Sequence, residues 1–219
     1  MKPTVAQPPG IVLLLHAAVV NKTTLTPLAR RLTAMGFVVH NPNYPNRQKD
    51  VQGCADHVLP FFSHLAETTK DPIHIVGHSM GGLVARRMLA LYQPENFGRL
   101  VTLGTPHKGS PLADVLQHQT FYQKLFGPVG QDLTTDHDLT WAGPWPPPYD
   151  IGLIAGSLPI GPGTFFLPWQ GDGTVLHISS QPPGGTDYAR VPTTHTTIPM
   201  LEKTARLIAR FLITGRFSK

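Results

Sequence analysis

Three residue types, far apart along the chain, could cooperate in one reaction: a hydroxyl, an imidazole and a carboxylate. The hydroxyl is Ser79, in Gly77-His78-Ser79-Met80-Gly81. This is the pattern G-x-S-x-G. It sits directly between an aliphatic run, Ile73-His74-Ile75-Val76, and a stretch of helical periodicity at 83–91. A strand that reverses abruptly into a helix strains the residue at the turn and projects its side chain from the sheet's edge. Side chains at Gly77 and Gly81 would collide with neighbouring backbone in such a turn. The helix N-terminus behind the serine favours a developing negative charge. A hydroxyl alone is a poor nucleophile and needs an adjacent base, usually a histidine oriented by a carboxylate. The bland alternative is a glycine-rich turn with an incidental serine, and the flanking strand and helix argue against it.

For this motif the chain order is serine, acid, histidine. Asp172 is the best-placed acid. It lies in Gly171-Asp172-Gly173-Thr174-Val175, after the aliphatic run at 151–155, and its glycine neighbours allow a tight turn that points the carboxylate inward. An ordinary Asp-Gly turn is the competing reading. His195, in a polar loop just before the last helix, is the expected base. His177 is its rival, but only five residues separate it from Asp172, which places it on the same loop. An oxyanion needs two backbone N–H donors. Met80, the residue after the nucleophile, supplies one, and Ala18, in the loop after the first strand, is expected to supply the other.

These groups need a scaffold, and the periodicities supply one. Ile11-Val12-Leu13-Leu14-Leu15 has no alternation and suits a strand buried on both faces. Leu25, Leu28, Leu32 and Met35 recur at helical spacing; Phe37-Val38-Val39 is a short strand. A second helix covers 51–65, with Pro60 predicting a kink or an early break. Strands follow at 73–76, 100–103 and 151–155, and a last amphipathic helix at 199–213. Strands alternating with helices predict the α/β class: a mostly parallel central sheet with helices on both faces. The aromatic and proline-rich segment 111–150 is too long for a plain connection. We read it as a cap-like insertion within a single domain spanning 1–219.

Composition narrows the function classes. Apolar residues make up 41% and charged residues 14% of 219, which excludes bulk disorder. The net charge of +5 reflects few acids, 13, rather than many bases, 18, and the basic clusters are short. Nucleic acid is therefore not an expected partner. With one cysteine, Cys54, no intrachain disulfide or Cys-based zinc module can form. Eleven histidines show no H-E-x-x-H pattern or convincing ligand pair, so no metal is expected. No run reaches the roughly 18 apolar residues of a membrane span. His16 interrupts the run at 11–20 and no small-x-small cleavage site follows, so a cytoplasmic location is the expectation, with a trimmed exported chain left open.

The sequence resembles the α/β-hydrolase superfamily, and within it the small bacterial serine lipases and esterases. The matching pieces are Leu14-Leu15-His16, Gly77-His78-Ser79-Met80-Gly81-Gly82, Leu103-Gly104-Thr105-Pro106-His107-Lys108-Gly109-Ser110, Asp172-Gly173-Thr174-Val175 and the late His195. They run in order over almost the whole chain outside 111–150. Where such lipases carry His-Gly in the oxyanion loop, this chain has His16-Ala17. The resemblance implies an α/β-hydrolase fold and cleavage of carboxylic esters through an acyl-enzyme: Ser79 attacks, His195 moves the proton, Asp172 orients His195, and Ala18 and Met80 form the oxyanion hole. It implies no cofactor, a small-molecule or lipid ester as substrate, and transient contact with a lipid interface. His16, Phe121, Phe126, Trp141 and Phe165 are the expected substrate-binding residues, with Phe166 and Trp169 beside them. The rival readings are acyl transfer or thioester cleavage on the same three groups, and a binding protein that kept the fold without turnover.

Overall fold

The structure, a computed structural model, describes residues 9–136, 139–168 and 170–218. Among these, six strands form one sheet in the order β2-β1-β3-β4-β5-β6, every neighbouring pair parallel. The strands are β1 (Ile11–Leu15), β2 (Val38–His40), β3 (Ile73–His78), β4 (Phe97–Leu103), β5 (Ile151–Gly156) and β6 (Asp187–Val191). The unalternating run of β1 serves two cores. Ile11, Leu13 and Leu15 enter one, and Val12 and Leu14 the other. The first face is covered by α2 (Val51–Thr68) and α3 (Met80–Leu91), the second by α1 (Thr26–Ala34) and α8 (Glu202–Thr214). The fold is therefore a parallel α/β sandwich.

The strand order decides where a site can form. The chain begins at β1, steps outward to β2, then crosses back to β3 on the other side of β1. The connections leaving β1 and β3 thus diverge to opposite faces and open a crevice at their carboxyl ends. Ser79 follows β3 and Ala18 follows β1, so both stand at this switch point.

Several expectations need correction. Helix α2 is continuous through Pro60, with no early break. An interior proline costs about 3 kcal/mol; here a wholly buried face of Val51, Cys54, Ala55, Val58 and Phe62 offsets it. Strand β6 has no aliphatic run to announce it, because it is a half-exposed edge carrying Asp187 and Arg190. The last helix starts at Glu202, later than 199. His195–Met200, with Pro199 inside, is a separate turn of 3₁₀ helix.

The segment 111–150 divides in two. Its first part holds α4 (Pro111–Leu116), α5 (Thr120–Phe126) and α6 (Val129–Asp132). Its second part, with a 3₁₀ turn at Leu139–Ala142, clamps α3: Arg87 Nη1 donates to Trp141 O at 2.8 Å and Arg86 Nη2 to Gly143 O at 2.9 Å. Helix α7 (His177–Ser180) precedes β6.

Candidate active site

Ser79 has φ 54° and ψ −125°, and it is one of two non-glycine residues with positive φ among those described. Such strain persists only where the surroundings over-determine it. Here Ser79 N–H donates to Leu103 O at 2.8 Å, while Ser79 O accepts from Gly82 N–H at 3.0 Å and from Thr105 Oγ1 at 2.8 Å. The turn closes tightly enough that a Cβ at Gly77 would lie 2.5 Å from Gly82 Cα, and one at Gly81 would run into Leu15 O. Met80 is the first residue of α3, so its N–H has no acceptor within the helix.

His195 and Asp172 come together across 23 residues of chain. His195 Nδ1 lies 2.8 Å from Asp172 Oδ2, and His195 N–H donates to Asp172 O at 2.8 Å. The other carboxylate oxygen, Oδ1, accepts from Thr174 N–H at 3.1 Å and Val175 N–H at 2.8 Å. Burial pushes the Asp172 carboxyl up. The charge and hydrogen bond of His195 and the two backbone donors outweigh it, holding the carboxyl below its usual range. The ionised carboxylate can only accept, so Nδ1 carries the proton and Nε2 keeps a lone pair. Gly104, at φ +58°, lies flat beneath this pair; a Cβ there would sit 2.9 Å from Asp172 Oδ2 and 3.0 Å from His195 Nδ1. His177, the rival histidine, turns elsewhere: its Nε2 lies 2.9 Å from Gly156 O.

A second imidazole abuts the first. The rings of His78 and His195 are 5.2 Å apart, and His78 Nε2–H donates to His195 O at 3.1 Å. Burial, and then the neighbouring His195 charge, push His78 down to about 3. His78 is therefore neutral wherever a histidine base works, and it fixes His195 from behind.

Ser79 and His195 open into one cleft of about 200 Å³. Its wall is apolar: Ala18, Leu112, Tyr122, Phe126, Pro162 and Val175 all contribute. Tyr122 and Phe126 stack at 4.4 Å; α4 gives the wall Leu112 and Ala113, and α5 gives it Tyr122 and Phe126. Of the expected substrate-binding residues, only Phe126 lines the cleft. Phe121 and Phe165 point to solvent, at 61% and 91% exposure. Phe166 is exposed as well, and Trp169 lies outside the described residues. Trp141 packs behind α3 on the first core. His16 is fully buried, stacked on Tyr44 at 4.0 Å, with its pKa lowered by burial.

Sequence reasoning missed the brace of the loop after β1, where an oxyanion donor is expected. Tyr44 Oη donates to His16 O, and Asn46 Nδ2 donates to Ala17 O at 2.9 Å and to Val20 O at 2.7 Å. With alanine at 17, the left-handed residue of this loop is Val19, at φ 58°. The available signal was topological: parallel neighbours β1 and β2 deliver their following residues to the same edge.

Comparison with known proteins bears on the fold. The model of the PGAP1-like alpha/beta domain family matches residues 38–137. A triacylglycerol lipase of Pseudarthrobacter phenanthrenivorans is 34% identical over 89 residues, 39% of this chain and 28% of the lipase. The match thus spans little more than a quarter of that relative's length. Among solved structures, the mature form of a Bacillus licheniformis lipase superposes with a TM-score of 0.69 at 18% identity, covering 96% of this chain and 92% of the lipase. An extracellular alpha/beta-hydrolase from a Paenibacillus species superposes with a TM-score of 0.61 at 14% identity, covering 94% and 98%. The chain has the α/β-hydrolase fold.

Proposed function

We infer that this chain hydrolyses carboxylic esters through a serine acyl-enzyme. The observation that carries the reading is that His195, held by buried Asp172, opens with the strained Ser79 into one apolar cleft. His195 Nε2 takes the Ser79 hydroxyl proton as Oγ attacks the ester carbonyl carbon. The N–H groups of Met80 and Ala18 hold the oxygen that becomes negative. As the tetrahedral intermediate collapses, the C–O bond to the alcohol breaks, and Nε2–H returns the proton to the leaving oxygen. Water then repeats the cycle on the acyl-serine and releases the acid. Asp172 keeps its charge throughout and stabilises the imidazolium.

The cleft wall favours an apolar acyl or alcohol portion, in keeping with the lipase relative. Exposed Phe121, Leu125, Phe165 and Phe166 neighbour the lining residues Tyr122, Phe126 and Pro162 along the chain, which supports transient contact with a lipid surface. The test is covalent labelling with a fluorophosphonate, beside hydrolysis of p-nitrophenyl esters. The parent should label and turn over; Ser79→Ala should do neither, with kcat lower by about 10⁴–10⁶. A folded Ser79→Ala protein that keeps a tenth of its turnover would overturn the assignment of the nucleophile.

A further inference from the structure

The charges of the chain are sorted by position. Residues 1–49 and 188–219 carry twelve of the eighteen Lys and Arg and one of the thirteen Asp and Glu; residues 50–187 carry the other six bases and twelve acids. The fold places five of those twelve bases on two adjacent helices. Helices α1 and α8 pack side by side over the second face of the sheet. Arg30 and Arg31 lie on α1. Lys203, Arg206 and Arg210 form a stripe at i, i+3 and i+7 on α8, opposite the buried Ala205, Ile208 and Leu212. Arg30, Lys203 and Arg206 are exposed, and Arg31 and Arg210 half-buried. Glu202 is the one carboxylate on either helix, and it pairs with Arg206 Nη2 at 2.6 Å. The other four cations have no carboxylate partner among the described residues.

This arrangement works against the helix that carries it. Lys203 with Arg206, and Arg206 with Arg210, are like-charge pairs three and four residues apart, which destabilise a helix. Solubility requires a net charge but not its segregation. An external counter-charge is what such a face gains from. Its place in the fold links it to the cleft. The turn Lys22–Leu25 leads into α1, and the turn His195–Met200 comes just before α8. Both turns reach the cleft, through Thr24 and Thr196, and the first adds exposed Lys22. We propose that the α1–α8 face docks on an anionic lipid bilayer and holds the cleft beside the surface that supplies its ester. The ester rests on the hydrolase reading above; the docking rests on the charge segregation. A bilayer fits this face better than a nucleic acid does, because the cleft it borders is apolar and exposed Phe121 and Phe165 neighbour that cleft's lining along the chain. Each Lys or Arg near an anionic bilayer strengthens binding about fivefold, within the reach of a Debye length.

The test reads binding in the full chain carrying Ser79→Ala, so that no lipid is consumed and the outcome is independent of turnover. The protein is co-sedimented with vesicles of phosphatidylcholine alone, or with about 30% phosphatidylglycerol. Partitioning onto the anionic vesicles should be at least tenfold stronger and should fall steeply between about 0.05 and 0.5 M chloride. Arg30→Gln, Lys203→Gln and Arg206→Gln together, all exposed, should weaken it at least tenfold. Lys70→Gln, Lys108→Gln and Lys124→Gln, also exposed, remove the same charge from the 50–187 segment and should weaken it less than threefold. With Ser79 restored, the first triple variant should hydrolyse soluble p-nitrophenyl acetate at the parental rate, which verifies its fold and separates docking from the chemistry. Equal partitioning onto both vesicles, or equal weakening by the two triple variants, overturns the proposal. So does tighter binding to a DNA duplex than to the anionic vesicles, or salt-sensitive self-association that the first triple variant abolishes; these results would assign the face to a nucleic acid or to a second copy of the chain.

Discussion

Asp172→Asn separates the charge and the tautomer of the acid from its shape. The substituted side chain fits the same space, but it must choose which end faces which donors. With the amide oxygen on Thr174 N–H and Val175 N–H, where Oδ1 now accepts two bonds, the NH₂ group faces His195 Nδ1. Nδ1 must then accept, the proton moves to Nε2, and His195 can no longer take one from Ser79. The flipped amide would keep the working tautomer, but it would aim NH₂ at two backbone donors. Losing those two bonds costs about 1–3 kcal/mol each, which limits the flipped form to about 3% or less. The loss in kcat/KM is therefore at least about 30-fold, rising to about 10⁴ when the flip is negligible, the scale seen for the same change in an unrelated serine hydrolase. The assay is p-nitrophenyl butyrate hydrolysis at pH 8, with thermal unfolding run alongside to verify the fold. A folded variant that keeps more than about a tenth of parental kcat/KM would refute the orientation argument, and with it the role of Asp172.

Burial lowers His74 to about 4 and His78 to about 3, so the unfolded chain binds protons below pH 6.5 that the folded chain refuses. Their stabilising contribution is full above the unfolded pKa and falls with pH, by about 2–3 kcal/mol per pH unit for the pair between pH 5.5 and 4.5; urea midpoints that stay flat from pH 7 to 4.5 would contradict this. His78→Leu should lower kcat about 5- to 30-fold with little change in KM, since it removes a hydrogen bond of about 1–2 kcal/mol that positions the base; steady-state kinetics that show only a KM effect would assign His78 to substrate binding instead. Phe126→Ala should shift the preferred acyl length upward, each added methylene bringing about fourfold in kcat/KM until the cleft fills, whereas Phe121→Ala should leave the acetyl-to-dodecanoyl profile unchanged. Equal profiles for all three proteins would remove α5 from the binding wall.

The aliphatic runs of β1 and β3 and the glycines around Ser79 were legible because burial on both faces and tight backbone approach restrict residue type at those positions. Asp172 and His195 were legible because the strand–turn–helix motif dictates their order along the chain. The rest depends on information that residue type does not carry. Phe121 and Phe126 are equally apolar and five positions apart, yet only the second faces the cleft. An isolated aromatic in an irregular segment has no periodicity to say which way it turns. Strand β6 is polar because an edge needs only one covered face. Asn46 and Tyr44 act through contacts 26 to 29 residues back in the chain, made only once β1 and β2 are paired.

That brace ties the loop after β1, the proposed source of an oxyanion donor, to the least secure part of the sheet. Strand β2 is three residues long, partly exposed and, among the described residues, paired on one side only. Short edge elements open locally at a fraction of the global unfolding free energy. Each such opening would draw Asn46 and Tyr44 away from the carbonyls of Ala17, Val20 and His16, and Val19 would be freed to leave its left-handed conformation. Heat inactivation should therefore run ahead of the loss of helical signal: the first few degrees would abolish turnover while α3, Ser79 and the His195–Asp172 pair stand intact, and cooling would restore it without refolding the core.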